Sequence, residues 1–158
     1  MKKPPENRVS AQIIVFCLTA TLLWLSPIAL AEPVDEAKKI FDQYTALEKN
    51  GDPALVDLYS QTAKIKIYKA YKDGSRIREA MELAAYKEML KAALSQKITY
   101  VYSDTTFTPF GSNIKIKASR LKSGAGKKAQ PYSHLMTVGP DADGQWRILE
   151  ETPTIDGE

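Results

Sequence analysis

The stretch KNGDPALVDLYSQTAKIKIY, residues 49–68, contains the change of pattern that decides the fold. Gly51 can take the left-handed backbone conformation that ends a helix, and Asp52 can cap the helix that follows. Pro53 suits the first turn of that second helix, because its missing N–H would be unpaired there anyway. From Lys64 to Lys69 apolar and polar residues alternate, which is typical of a half-buried strand. The stretch therefore predicts the end of one helix, a short second helix and then a strand.

Helices precede strands along the rest of the chain. An amphipathic helix is predicted over 34–50, where apolar residues fall at helical spacing and charges such as Glu48 are expected on the other side. A third helix is predicted over 83–94, and the pair Asp73-Gly74 is typical of a hairpin turn. The later pattern predicts strands only, at about 97–107, 114–121, 132–138 and 146–151. This order indicates an α+β domain whose long antiparallel sheet curls over the first helix.

The first 31 residues have the pattern of a cleavable signal peptide. A basic start is followed by an apolar run over 13–25, and Ala29-Leu30-Ala31 supplies the small residues that a signal peptidase needs. An uncleaved anchor is the alternative, but Pro27 interrupts a run that falls short of the roughly 20 residues of a spanning helix. We expect cleavage after Ala31, a single mature domain of residues 32–158 without a membrane span, and a periplasmic or secreted location.

The composition of the predicted mature part excludes several kinds of function. The one cysteine, Cys17, lies in the predicted leader, so disulfides, thiolate catalysis and Cys-based metal sites are excluded. Removing the three basic leader residues and Glu6 leaves 19 basic and 18 acidic residues, a net charge of +1. This balance argues against nucleic acid as a partner, because phosphates require a basic excess. With His134 as the one histidine, we expect no metal site, and we expect no cofactor.

The order of elements resembles that of the nuclear transport factor 2-like superfamily, which includes ketosteroid isomerases and polyketide cyclases of the SnoaL type. The resemblance runs from about Val34 to Thr154 and covers nearly all of the predicted mature chain. It rests on the helix end Asn50-Gly51-Asp52, the segment with Leu55, Leu58 and Tyr59, the strand 63–68, and the closing hairpin HLMTVGPDADGQWRILEET. The resemblance implies a cone-shaped α+β fold with a pocket between helices and sheet. Because the superfamily contains enzymes and protein-binding modules, the fold alone does not decide the activity.

The resemblance to ketosteroid isomerases is incomplete at the catalytic positions. Tyr44 falls where these enzymes place a tyrosine that donates to the substrate oxygen. Their carboxylate base would fall at Ile67. Their second acid donor would fall near Ser133 or His134, within a stretch that has no Asp or Glu (105–140). Because this reaction needs a base to move a proton from carbon, the departures favour a pocket without that chemistry.

Tyrosines and the histidine make up the candidate pocket. A tyrosine combines an apolar ring with a polar hydroxyl, which suits a cavity wall, although aromatic residues also seal small cores. His134 is a candidate base near neutral pH, or alternatively a hydrogen-bonded histidine at the pocket edge. The catalytic candidates are Tyr44 and His134. The predicted ligand pocket comprises Tyr44, Tyr59, Ile67, Tyr100, Tyr102 and His134.

Basic side chains are predicted to share the outer face of the sheet. Isoleucines alternate with them and take the other side. The basic residues are Lys64, Lys66, Arg76, Arg78, Lys115 and Lys117, and the isoleucines are Ile65, Ile67, Ile77, Ile114 and Ile116. If these strands are neighbours, the face is a basic patch for an anionic partner; the alternative is an ordinary solvated face that keeps edge strands from pairing.

These features predict an exported, non-catalytic binding module. Its partner would be a small apolar or amphipathic molecule, or a protein, including a second copy paired through the sheet face. The alternative is a cofactor-free isomerase or lyase that uses Tyr44 as donor and His134 as base.

Overall fold

The computed structural model describes residues 28–71, 76–96, 98, 100–122 and 132–156. Within these ranges the elements follow in the order α1 (Ile28–Asn50), a 3₁₀ helix (Pro53–Leu58), β1 (Tyr59–Ala70), β2 (Arg76–Met81), α2 (Leu83–Ser95), β3 (Tyr100–Phe110), β4 (Asn113–Lys122), β5 (Tyr132–Pro140), β6 (Trp146–Thr152) and β7 (Thr154–Asp156). The predicted α+β class is confirmed. The three predicted helices are all present, the second as a 3₁₀ helix.

The junction between α1 and the 3₁₀ helix forms as the sequence predicts. Gly51 ends α1 in the left-handed region, with φ +67°. The side chain of Asp52 accepts a hydrogen bond from the backbone N–H of Ala54 at 2.9 Å, so it caps the 3₁₀ helix that begins at Pro53.

The buried face of α1 contains one charged residue. Ala37, Phe41 and Tyr44 are buried there, as their spacing predicts. The expectation that Glu48 lies on the solvent side is wrong, because Glu48 is only 4% exposed. It lies four residues after Tyr44, and residues four apart share one face of a helix.

The strands form one curved sheet in the order β2-β1-β6-β5-β4-β3, with β7 also beside β1. Most pairs are antiparallel, but β1 runs parallel to both β6 and β7. Alternation of residue types predicts the two faces of a strand and not its neighbours, so neither the parallel pairs nor β7 was predicted. The helices cover one face of the sheet, which we call the inner face; the opposite one is the outer face.

A β-bulge in β6 turns an acidic residue inward. Ile148 pairs with Val138 and Glu150 pairs with Thr137, so one extra residue, Leu149, is inserted between two successive pairs. The bulge lets Ile148 and Glu151, three residues apart, both face the interior, and each has no exposed surface.

The structure does not test two of the predictions made from the sequence. The predicted turn at Asp73-Gly74 lies outside the described residues, although β1 and β2 pair antiparallel on either side of it. The predicted cleavage point after Ala31 falls within α1, and cleavage stays a prediction. Within the described ranges, no helix is both long and apolar enough to cross a membrane.

Candidate functional site

Three tyrosines converge on the buried carboxylate of Glu151. Tyr44 of α1 donates a hydrogen bond to Oε1 at 3.1 Å, and Tyr86 of α2 donates to Oε2 at 2.9 Å. Tyr59, the first residue of β1, also donates to Oε2. With His134 of β5 these residues form what we call the Glu151 network, and each of its five members is at most 1% exposed.

His134 approaches the same carboxylate from β5. Its Nε2 lies 3.1 Å from Oε1 of Glu151, which is an ion-pair distance. The ring is not aligned for a hydrogen bond to that oxygen, and neither ring nitrogen has another hydrogen-bond partner among the described residues. The His134 ring also lies 5.6 Å from the ring of Tyr44, centre to centre.

The surroundings of Glu151 fix its charge. Burial raises the pKa of Glu151, but the adjacent His134 and the hydrogen bond from Tyr59 outweigh burial and hold this pKa below its ordinary value of 4.5. Burial and the charge of Glu151 raise the pKa of Tyr44, Tyr59 and Tyr86 well above 10.0. Near neutral pH the network is therefore one carboxylate with three neutral tyrosine donors.

A second buried carboxylate lies beside this network. Glu48 accepts from Nη2 of Arg120 at 2.6 Å and from the hydroxyl of Tyr102 at 2.9 Å. The ring of Tyr100 packs 3.6 Å from the Arg120 guanidinium. Tyr102 joins the two groups, because its ring contacts that of His134 at 5.6 Å.

The predicted pocket residues thus lie in different surroundings. Tyr44, Tyr59 and His134 come together on Glu151, and Tyr102 lies at the edge of this cluster. Ile67 faces the interior with 1% exposure, and Tyr100 packs on Arg120 instead. A ligand would have to displace packed side chains to reach Tyr44, Tyr59, Ile67 or His134 in this conformation.

Four of the charged or polar residues that organise the interior were not predicted as site residues: Glu48, Tyr86, Arg120 and Glu151. Glu48 could have been found, because it continues the spacing of the buried face of α1. Strict alternation places Glu151 on the face opposite Ile148, so Glu151 could not be found without knowledge of the bulge.

The outer face of the sheet contains a large groove of about 910 Å³. Basic residues line it on both sides, with Lys64 and Arg78 on β1 and β2 and Lys115 and Lys117 on β4. Leu135 contributes to the lining and is 39% exposed, which is high for a large apolar residue. We call this depression the outer groove.

The predicted basic face is divided into two parts. β1 and β2 are neighbours, but β6 and β5 separate β1 from β4. The side chain of Arg76 lies outside the described residues. Most of the isoleucines are buried on the inner face as predicted: Ile65, Ile67, Ile114 and Ile116. Ile77 differs, with 45% exposure, because it lies on the edge strand β2.

No protein-family model matches this sequence, and no curated protein matches it. Solved structures match over most of the chain. A nuclear transport factor 2-like protein of unknown function from Pseudomonas putida KT2440 has a TM-score of 0.58 and 11% identity, over 77% of this chain and 85% of the other. A protein provisionally named a ketosteroid isomerase, from Shewanella frigidimarina, has a TM-score of 0.54 and 19% identity, over 74% and 93%. The yeast UBP3-associated protein BRE5 has a TM-score of 0.54 and 14% identity, over 78% and 96%. The likeness shows the fold alone, and that fold is nuclear transport factor 2-like.

Proposed function

We propose that this protein, with its nuclear transport factor 2-like fold, is a non-catalytic binding module that takes a small amphipathic ligand in the outer groove. One contrast supports the proposal: the interior is filled by the Glu151 network, whereas about 910 Å³ is open on the outer face. A volume of this size is in the range of small-molecule sites, and polar groups around apolar side chains are typical of them.

The filled interior is the physical reason for placing the ligand outside. Glu151 is an ionised carboxylate that accepts hydrogen bonds from three tyrosine hydroxyls, and Nε2 of His134 lies 3.1 Å from it. A ligand that entered the interior would have to replace these donors, because an uncompensated buried charge is strongly unfavourable. The network therefore stabilises a closed interior.

We also propose that the protein is exported and acts in the periplasm or outside the cell, as the first 31 residues predict. Intact-mass measurement of protein from the periplasmic fraction of its host tests this. A chain that begins at Glu32 is the expected result, and a cell-associated chain that keeps the apolar run 13–25 would contradict export with cleavage.

Native mass spectrometry of protein purified from its host tests the binding function. We expect a retained small molecule that is lost in Leu135→Glu, which places a charge in the outer groove. Val101→Glu is the matched control, since Val101 is 58% exposed on the edge strand β3 and does not line the groove. A ligand-free dimer that Leu135→Glu dissociates would instead make the outer face an interface between two copies.

A cofactor-free isomerase or lyase is the second candidate. Two observations favour it: the Tyr44 hydroxyl and Nε2 of His134 each lie 3.1 Å from Oε1 of Glu151, and the buried nitrogens of His134 lack aligned partners among the described residues. Glu151 adds a carboxylate that the sequence did not place there. Buried polar atoms without a hydrogen-bond partner are uncommon in native structures, and a catalytic role is one of the explanations for them.

Turnover of the retained molecule distinguishes the two candidates. The enzyme requires loss of turnover in Tyr44→Phe and in His134→Ala while the ligand still binds. The binding module requires that the molecule leave the protein unchanged in the wild type. In that case the same two variants affect stability only.

A further inference from the structure

We propose that the ligand of the outer groove is an anionic amphipath, with its anionic group between Lys115 and Lys117 and its apolar body over Leu135 and Leu149. This inference rests on the proposed function, because it specifies the chemistry of the same groove. Charge, spacing and shape each support it.

The charges that line the groove are not balanced. Its two acidic residues already have basic partners: Glu150 pairs with Lys66, and Asp141 lies 3.7 Å from Arg147. Two of its cations lie over aromatic rings, Lys115 over Phe110 and Arg78 over Tyr68.

The other two lining cations are Lys64 and Lys117. Neither has an ion pair with another residue in the described part of the chain. The groove therefore presents uncompensated positive charge to whatever occupies it.

The register of the sheet sets the spacing of these cations. Lys115 and Lys117 are two residues apart on one strand, so they share a face about 7 Å apart and can approach one anionic group together. The pairings Lys115–Thr137, Thr137–Glu150 and Glu150–Lys64 form a row across four strands, about 14 Å long at ordinary strand spacing.

Apolar side chains lie between the two basic walls. Leu135 of β5 pairs in register with Lys117 of β4, so it is next to one wall, and Leu149 of β6 also lines the groove. A molecule with a charged end and an apolar body of this length can pair its charge and cover both leucines. An uncharged or cationic chain would leave the lysines unpaired.

Shape and symmetry favour a soluble amphipath over two other occupants of the groove, a membrane surface and a second copy of the chain. The groove is a concavity, so a flat membrane surface cannot contact its floor. A symmetric dimer through this face would place the basic linings of two copies in one interface, which brings like charges near each other. A soluble anionic amphipath meets neither obstacle.

Isothermal titration calorimetry with three probes tests the inference: dodecanoate, dodecyltrimethylammonium and the uncharged octaethylene glycol dodecyl ether, each below its micelle concentration. We expect dodecanoate to bind about tenfold or more tightly than the other two, since hydrogen bonds to charged groups are the strong ones. Its affinity should fall about tenfold in Lys115→Gln/Lys117→Gln and weaken with added salt.

The matched control is Lys38→Gln/Lys39→Gln, which removes the same charge from exposed positions of α1. Its dodecanoate affinity should stay within about twofold of wild type, and circular dichroism should show all variants folded. Equal affinity for the three probes, or unchanged binding in the Lys115/Lys117 variant, overturns the anion preference and leaves the binding module standing. Failure of all three probes to bind overturns both.

Discussion

Glu150 and Glu151 are adjacent acidic residues with opposite environments. Glu150 faces outward, its side chain is 33% exposed, and it pairs with Lys66. Glu151 has no exposed surface and is held by three tyrosines and His134. Partly exposed ion pairs contribute little to stability, whereas loss of one member of a buried pair leaves its partners unsatisfied. Chemically identical side chains therefore have different energetic roles here.

Substituting each of these residues by alanine measures that difference. We expect Glu151→Ala to lower the free energy of unfolding by about 3–5 kcal/mol, because it leaves the buried donors of the Glu151 network without an acceptor. Glu150→Ala should cost at most about 1 kcal/mol. Urea denaturation followed by circular dichroism gives both values, and similar losses in the two variants would contradict the network's role in stability.

The stability of the protein should also fall in acid because of Glu151. Its folded-state pKa is depressed below 4.5, so its contribution is present above 4.5 and is lost as the pH falls through the folded value. Wild type should therefore lose unfolding free energy below about pH 4.5 more steeply than Glu151→Gln, which has no proton to bind. Parallel curves for the two proteins over that range would show that folding does not lower the pKa of Glu151.

At the scale of elements, the ends of the two α-helices pack closely. A Cβ added at Gly51, where φ is +67°, would lie 3.0 Å from the backbone carbonyl oxygen of Leu94 near the end of α2. Gly111 in the β3–β4 turn has a similar φ, +63°, but a Cβ there would meet nothing within 4 Å. A side chain at Gly111 would therefore cause backbone strain only, whereas a side chain at Gly51 would cause backbone strain and also press on α2.

Alanine at each glycine tests this separation. Gly111→Ala should cost about 1 kcal/mol, the strain of a left-handed non-glycine residue. Gly51→Ala should cost about 2 kcal/mol or more, since the helix ends must also move apart. Thermal unfolding of both variants checks the order, and an equal loss would mean that the contact with Leu94 relaxes freely.

Local pattern predicted most elements but not the partners that fill the site. Helical spacing located α1 and α2, and Gly51-Asp52-Pro53 located the junction, because those features depend on neighbouring residues. The orientation of Glu151 depends on the bulge in β6, and the bulge depends on how β6 pairs with β5. Pairing between strands that are distant in sequence leaves no local signal. The pocket tyrosines could therefore be predicted, but Glu151, which accepts their hydrogen bonds, could not.

At the scale of the whole molecule, the helices and the curved sheet enclose a tyrosine-rich interior. Tyr44, Tyr59, Tyr86 and Tyr102 all have a pKa raised well above 10.0, with burial as the main cause. Their neutral forms are favoured in the fold, so this stabilisation is complete below pH 10 and is lost as the pH rises above it. The protein should unfold before these tyrosines ionise.

An alkaline titration followed by tyrosinate absorbance checks this expectation. We expect an early phase from accessible tyrosines and a late phase that coincides with loss of the circular dichroism signal. Tyr86→Phe should reduce the late phase only. Ionisation of all tyrosines in one phase near pH 10, with the fold intact, would show that the interior admits solvent.

The Glu151 network also bears on folding kinetics. Its hydrogen bonds join residues separated by 107, 92 and 65 positions along the chain. Loops of that length close slowly, and folding rates fall as contacting residues become more distant in sequence. β6 comes near the end of the chain but lies between β1 and β5, so the centre of the sheet requires this C-terminal strand. The interior is thus closed by some of the least local contacts in the chain, and we expect this domain to fold more slowly than one of equal size built from local contacts.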